Sequence, residues 1–195
     1  SSIGKKIGEW KFPMLQAKTM KVGHVESSST GRMRGLLFRS WTKAPVIVWQ
    51  SKAAGGFESE TPLAGSQVTQ SLWRGGRNWL RSDANGMTWV AAPLAASDGA
   101  SFGLWKVDAQ LNATPISIVG TTFNHVGGVV PLGNGDVLVA GSQEIGSQLV
   151  ATVARVGSTG KMKWESKASG KGNTDIVSVA MVDAKHLLLG GARSA

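Results

Sequence analysis

A self-similarity at an offset of 49 residues constrains this chain more than any other feature. The stretch NGMTWVAAPLAASDGASFGLWKVDAQ, beginning at Asn85, aligns without a gap on NGDVLVAGSQEIGSQLVATVARVGST, beginning at Asn134. Asn85-Gly86 falls on Asn134-Gly135, Val90 on Val139, Leu104 on Val153 and Val107 on Val156. A further copy follows at an offset near 50, where Leu189-Gly190-Gly191 meets Val139-Ala140-Gly141. Upstream, RGLLFRSW resembles the strand ending in Trp89 and VIVWQSKA resembles FGLWKVDA, with spacing that drifts as loops of variable length would make it. A period of this length means that each unit cannot bury its apolar face alone and must stack on its neighbours.

Each unit reads as four short strands. In the best copy these span 123–131, 136–141, 148–156 and 161–167, separated by Gly133-Asn134-Gly135, Glu144-Ile145-Gly146 and Gly157-Ser158-Thr159-Gly160. Such clusters supply the positive φ and local side-chain hydrogen bonds that turns need. The 26 glycines and the lack of any long apolar helical stripe agree with an all-β chain. Four antiparallel strands in about 50 residues are the pattern of a β-propeller blade. The expectation is one propeller domain or propeller segment of about four blades of 49–50 residues, or part of a larger ring. Its approximate repeats are 13–63, 64–118, 119–167, and 168–195 together with 1–12. In that last pairing KIGEWKF reads as a fourth strand, with Trp10 where Trp164 lies. The small pairs Ala140-Gly141 and Gly190-Gly191 suit backbones converging on a central channel.

The segment from Val153 to Gly191, with Ala154, Thr159-Gly160 and Trp164 at the spacing of a Trp-docking corner and a following HLLLGG strand, resembles blades of the bacterial PQQ-like propeller superfamily. That resemblance covers 85–195 well and 1–84 poorly. It implies a propeller fold, an exported, periplasmic or envelope-associated location, and a structural corner at Thr159, Gly160 and Trp164. Trp164 is then expected to be a plug clamped between blades, whose truncation to alanine would cost about 3–5 kcal/mol. A quinone-dependent dehydrogenase of this kind would also use paired cysteines and calcium-binding acids, and this chain has no cysteine. The resemblance therefore points to the non-enzymatic branch, with no cofactor.

Other chemistries find little support. The absence of cysteine excludes disulfides and thiolate metal sites. His24, His125 and His186 have no ligand spacing, so no metal site is expected. There is no G-x-S-x-G elbow and no catalytic residue to nominate. No apolar run is long enough to span a membrane, and SSIGKKIGEW lacks the apolar centre of a signal peptide.

Of the 21 Lys and Arg, 13 lie in residues 1–81, where only Glu9, Glu26, Glu58 and Glu60 oppose them. The whole net charge of +9 belongs to this half, which is therefore the expected surface for an acidic or glycan ligand. Within it, SLWRGGRNWLR interleaves Trp73 and Trp79 with Arg74, Arg77 and Arg81, the candidate ligand-binding group. Strand alternation would instead bury the tryptophans and leave the arginines at the rim. Nucleic acid is disfavoured, because no basic stripe continues elsewhere. The resulting expectation is a non-catalytic binding or scaffolding module whose partner is a protein, further blades or another subunit. A carbohydrate-binding propeller using Trp73, Trp79 and Trp89 as stacking platforms is the alternative, and a quinone-dependent dehydrogenase segment ranks third.

Overall fold

The computed structural model describes residues 20–27, 31–39, 45–66, 79–94, 101–118, 123–168, 172–183 and 185–194. Among them there is no helix, and the strands form four antiparallel sheets. Sheet 1 holds β1 (Met20–Ser27), β2 (Met33–Arg39), β3 (Ile47–Ser51) and β4 (Phe57–Pro62). Sheet 2 holds β5 (Leu80–Ser82), β6 (Thr88–Pro93), β7 (Phe102–Val107) and β8 (Ala113–Ile116). Sheet 3 holds β9 (His125–Pro131), β10 (Val137–Ile145), β11 (Gln148–Val156) and β12 (Met162–Lys167). Sheet 4 pairs β13 (Asn173–Met181) with β14 (Leu187–Ser194). In every sheet the strand order is the chain order, so each is a meander.

The sequence period reappears in the hydrogen bonds of the turns. Between first and second strands, Asp83 N donates to Met87 O, Leu132 N to Asp136 O and Val182 N to His186 O. Between third and fourth strands, Lys52 N donates to Gly56 O, Asp108 N to Asn112 O and Gly157 N to Lys161 O. This second turn needs a left-handed residue, and Gly55 (φ 90°) and Gly160 (φ 90°) provide it in sheets 1 and 3. In sheet 2 the position is Leu111, at φ 65°. Left-handed backbone costs a non-glycine residue about 1–2 kcal/mol, and burial of the Leu111 side chain in the core offsets that cost.

Three positions differ from the sequence reading. First, β10 continues past Gly141 to Ile145, with Ile145 facing Gln148 across Gly146-Ser147. The extension is held because Ser142 and Gln143 find polar partners in Asp175 and Glu165. Second, the small residues near Gly141 and Gly191 serve close approach within a sheet. A Cβ on Gly141 would meet the carbonyl oxygen of His125, and one on Gly191 that of Asp175. Each glycine lies beside the register shift between the first and second strand of its sheet. Third, Trp164 is 42% exposed on β12, so it is not a clamped plug. The inter-sheet contact of that corner belongs to Gly160, where a Cβ would strike the carbonyl of Ser117 just beyond β8. Thr159 lies exposed in the same turn.

The sheets stack in chain order. β1 lies against β5, β5 against β9 and β9 against β13. One apolar core runs through sheets 1 to 3, including Leu36, Phe38, Trp89, Trp105, Phe123 and Val139. A second joins sheet 3 to sheet 4 through Leu138, Ala140, Ile176 and Val179. β10 shows how one strand serves both: Val137 and Val139 enter the first core, Leu138 and Ala140 the second, as the two-residue period of a strand dictates. No helix among the described residues is long and apolar enough to cross a membrane.

The corner assignment inverts two mutational costs. Trp164→Ala should cost about 1 kcal/mol or less, as an exposed substitution does. Gly160→Ala should cost more than about 2 kcal/mol, because left-handed strain adds to the Ser117 clash. Gly55→Ala, at the same φ with no atom within 4 Å of the added carbon, isolates the strain alone. Urea unfolding of the three variants gives the ranking, and a Trp164→Ala cost above that of Gly160→Ala would restore the plug.

Candidate functional site

A cleft of about 720 Å³ opens between sheets 1 and 2, lined among others by Glu26, Arg32, Arg34, Gln50, Arg81 and Asn85. Its floor is organised by Arg34. This residue lies in phase with Leu36 and Phe38, on the face of β2 that enters the core, and is 5% exposed. A guanidinium in that position must satisfy its N–H groups locally. Nε donates to Gln50 Oε1 at 2.7 Å, one terminal nitrogen to Thr88 Oγ1 at 2.5 Å and Gly86 O at 3.1 Å, and the other to Asp108 O at 3.0 Å. Three of these four acceptors belong to sheet 2 or its turns. Burial draws Arg34 below the ordinary arginine value, and the charges of Glu26, Asp108 and Glu58 act against that shift.

Two polar chains leave this hub for the cleft mouth. Gln50 Nε2 donates to Glu58 Oε2 at 2.9 Å, and the same oxygen meets Arg32 at 3.1 Å. On the other side, Thr88 Oγ1 and Ser82 Oγ lie 2.7 Å apart, and Ser82 Oγ donates to Glu26. Glu26 Oε2 sits 3.8 Å from Arg81. Desolvation raises Glu26 above the ordinary carboxylate value, opposed by the Ser82 hydrogen bonds and then by Arg81 and Arg34. Burial, helped by Arg81, lowers His24 on the same strand. Arg32 and Arg81 remain 40% and 42% exposed at the side chain, so both can still reach a ligand. The cleft thus presents cations beside carboxylates, an arrangement suited to polar recognition.

The nominated ligand group divides. Arg81, on β5, lies at the cleft rim. Trp79 is 3% exposed, with its indole N–H donating to Val126 O at 2.5 Å and its ring edge-on to Phe38 and Phe102. It binds sheet 2 to sheets 1 and 3 and is not a stacking platform, because an indole that fills the core has no face left for a sugar. Trp89 is likewise buried, at 1% exposed, with Lys106 Nζ 4.7 Å from its ring centroid. Trp73, Arg74, Arg77 and Trp10 lie outside the described residues.

Arg34, Glu26 and Ser82 were not singled out from the sequence. A signal for the first existed: a charge in phase with the apolar face of a strand must be paired if that face is buried. Nothing local links Glu26 to Ser82, which are brought together only by sheet stacking.

Similar polar groups occur deeper in the stack. Asp136, buried at 3% exposed, accepts from Arg155 at 2.6 and 2.7 Å and from Lys163 at 2.9 Å. Hydrogen bonding from Lys163, and then from Arg155 and Asn134, holds its carboxyl below the usual range. Among the described residues there is no group of three or more His, Cys, Asp or Glu placed to hold a metal ion.

Arg34→Met should cost about 3–5 kcal/mol, the scale for removing one partner from a buried charged network. Arg34→Lys should recover less than half of it, since an ammonium lacks the planar fork. Denaturant unfolding reads both, and a Met variant within 1 kcal/mol of the parent would deny Arg34 its hub role. Glu26 gives a pH signature. A carboxyl with a raised folded-state pKa binds more protons folded than unfolded, so stability falls as pH rises above its ordinary value of 4.5. Glu26→Gln should therefore melt higher than the parent at pH 7, with the gap closing as pH is lowered towards 4.5. A gap that widens on acidification would reverse the assignment.

The sequence matches no protein-family model and no curated protein.

Proposed function

We propose that this chain is a non-catalytic β-propeller module of the PQQ-like kind, which binds and scaffolds a protein partner in an exported or envelope-associated bacterial protein. The observation that carries this reading is the stacking order: successive antiparallel meanders place the first strand of each sheet against the first strand of the next. Radially repeated blades meet in that way, and their connecting loops gather into recognition surfaces at the ends.

The cleft between sheets 1 and 2 is the proposed partner surface. Its exposed cations, Arg32 and Arg81, stand beside Glu58 and Glu26, which fits a polar protein segment carrying both charge signs. A glycan reading has lost Trp79 and Trp89 as platforms, since both rings are filled against the core.

The test compares the parent with Arg32→Ala/Arg81→Ala, each immobilised and exposed to extract of the source cells. A protein retained by the parent and lost from the variant, with an unchanged melting temperature, is the expected outcome. Titration of that purified protein should then show a roughly ten-fold or greater loss of affinity, the size of about 1.4 kcal/mol. Equal retention of a protein by both chains would overturn the cleft as the partner surface, and selective retention of glycans would overturn the protein-partner reading.

A further inference from the structure

We propose that the cleft between sheets 1 and 2 binds a carboxylate of the partner segment at Arg81 in exchange for a proton taken up by Glu26, so that occupation of the cleft tightens as pH falls. This rests on the cleft being the partner surface, and adds which group of the partner it takes and the condition that favours it.

The pairing of Arg81 with Glu26 is lopsided. The Glu26 side chain is 9% exposed and that of Arg81 42%, so the acid is fixed in the wall while the cation lines the open cleft. The two charges meet at Glu26 Oε2 across 3.8 Å, a looser contact than the 2.6 Å between Arg155 and Asp136. Glu26 has no second ion pair among the described residues.

The other oxygen, Oε1, is held by a directed set of hydrogen bonds. Ser82 Oγ donates to it, which uses the one hydroxyl proton of Ser82. Thr88 is therefore the donor in the Ser82–Thr88 bond, and itself accepts from Arg34. The bonds thus run one way, from the buried guanidinium to Oε1. None has to reverse when the acid takes a proton on Oε2, because Oε1 still accepts from Ser82. Arg34 faces Glu26 across the β1–β2 ladder but cannot replace Arg81, since its bonds to Gln50, Thr88, Gly86 O and Asp108 O hold it in place. A proton and Arg81 are alternative occupants of one oxygen. Drawing Arg81 off would strand a desolvated carboxylate, and a proton relieves it.

The remaining charges around Glu26 leave this exchange to Arg81. Asp83, in the turn after β5, spends Oδ1 on the backbone N–H groups of Asn85 and Met87. Arg32 is paired with Glu58. His24, on the same strand, is held below its ordinary value by burial and then by Arg81, so it is the one neighbour that must be separated experimentally. Desolvation already raises Glu26 towards neutral pH.

The probe is an end-blocked peptide of alternating Asp and Lys, whose own charges stay constant between about pH 5.5 and 7.5. Calorimetric titration in two buffers of different ionisation heat should show net proton uptake on binding, with affinity about three-fold or more higher at the lower pH. Glu26→Gln should abolish the uptake and bind at the higher pH as the parent does at the lower, His24→Gln should keep the uptake, and an Asn-Lys peptide should show none. Uptake that survives Glu26→Gln, or that disappears in His24→Gln, would remove Glu26 from the role. Binding to the parent without uptake would refute the exchange yet leave the cleft as the partner surface. No binding of the Asp-Lys peptide to either the parent or Glu26→Gln would refute the carboxylate as the group taken, and retention from the extract still reads the partner surface separately. Should Glu26→Gln fail to fold, the contrast between the two peptides on the unaltered chain and on His24→Gln decides.

Discussion

A four-stranded sheet has two faces, and the burial of both is the constraint on which this structure depends. Sheet 2 shows it most fully. Trp89, Val90, Ala91 and Ala92 are consecutive on β6 and all are buried, so the strand cannot have a solvated side. It reads as a continuous apolar run because sheets cover it from both directions. The adjoining β5, β9 and β13 follow from the same need, since each meander can hide its faces only against its neighbours in the stack.

Apolar faces attract without direction, and polar bonds between sheets supply what they lack. Trp79 reaches Val126 O, Arg34 reaches Gly86 O, Thr88 and Asp108 O, and Ser142 Oγ donates to Asp175 Oδ1 at 2.6 Å. Each of these bonds spans two sheets and is satisfied at one relative position. Sliding one sheet past the next by a residue would leave a buried guanidinium or indole without its acceptor, and an unsatisfied buried polar group is costly. The polar groups at the sheet boundaries therefore fix the register of the stack, while the side chains around them contribute most of its burial.

Much of this architecture was legible because it is written in turns. Asn85-Gly86 and Asn134-Gly135 mark the same turn, and its backbone hydrogen bonds recur at the same offset of 49 residues as the sequence identities. The three-dimensional meeting of units was not legible. Trp164 has the spacing of a docking corner, yet the close approach between sheets is at Gly160, where an added Cβ would strike the carbonyl of Ser117. Trp79 and Arg81 stand two residues apart in what looked like one ligand group. Packing sends the first into the core and leaves the second at the cleft rim. A run of tryptophans and arginines in sequence specifies neither outcome, which depends on the sheet that arrives opposite.

The cleft inherits its chemistry from this division of labour. Glu26 is desolvated because β1 must lie against β5, and Ser82 and Arg81 are beside it because β5 is the strand that arrives. Arg32 and Arg81 stay accessible at the side chain, the first just before β2 and the second on β5 between Ser82 and the buried Leu80. Rigid stacking below thus sets the spacing of the charged groups above, with Arg34 connecting the two levels through Gln50 and Thr88. A partner that uses Arg32 and Arg81 would engage groups already held by Glu58 and Glu26, and would gain little from neutral burial there. Its selectivity would lie in matching the alternation of charge, and its association rate would fall with added salt as these rim charges are screened.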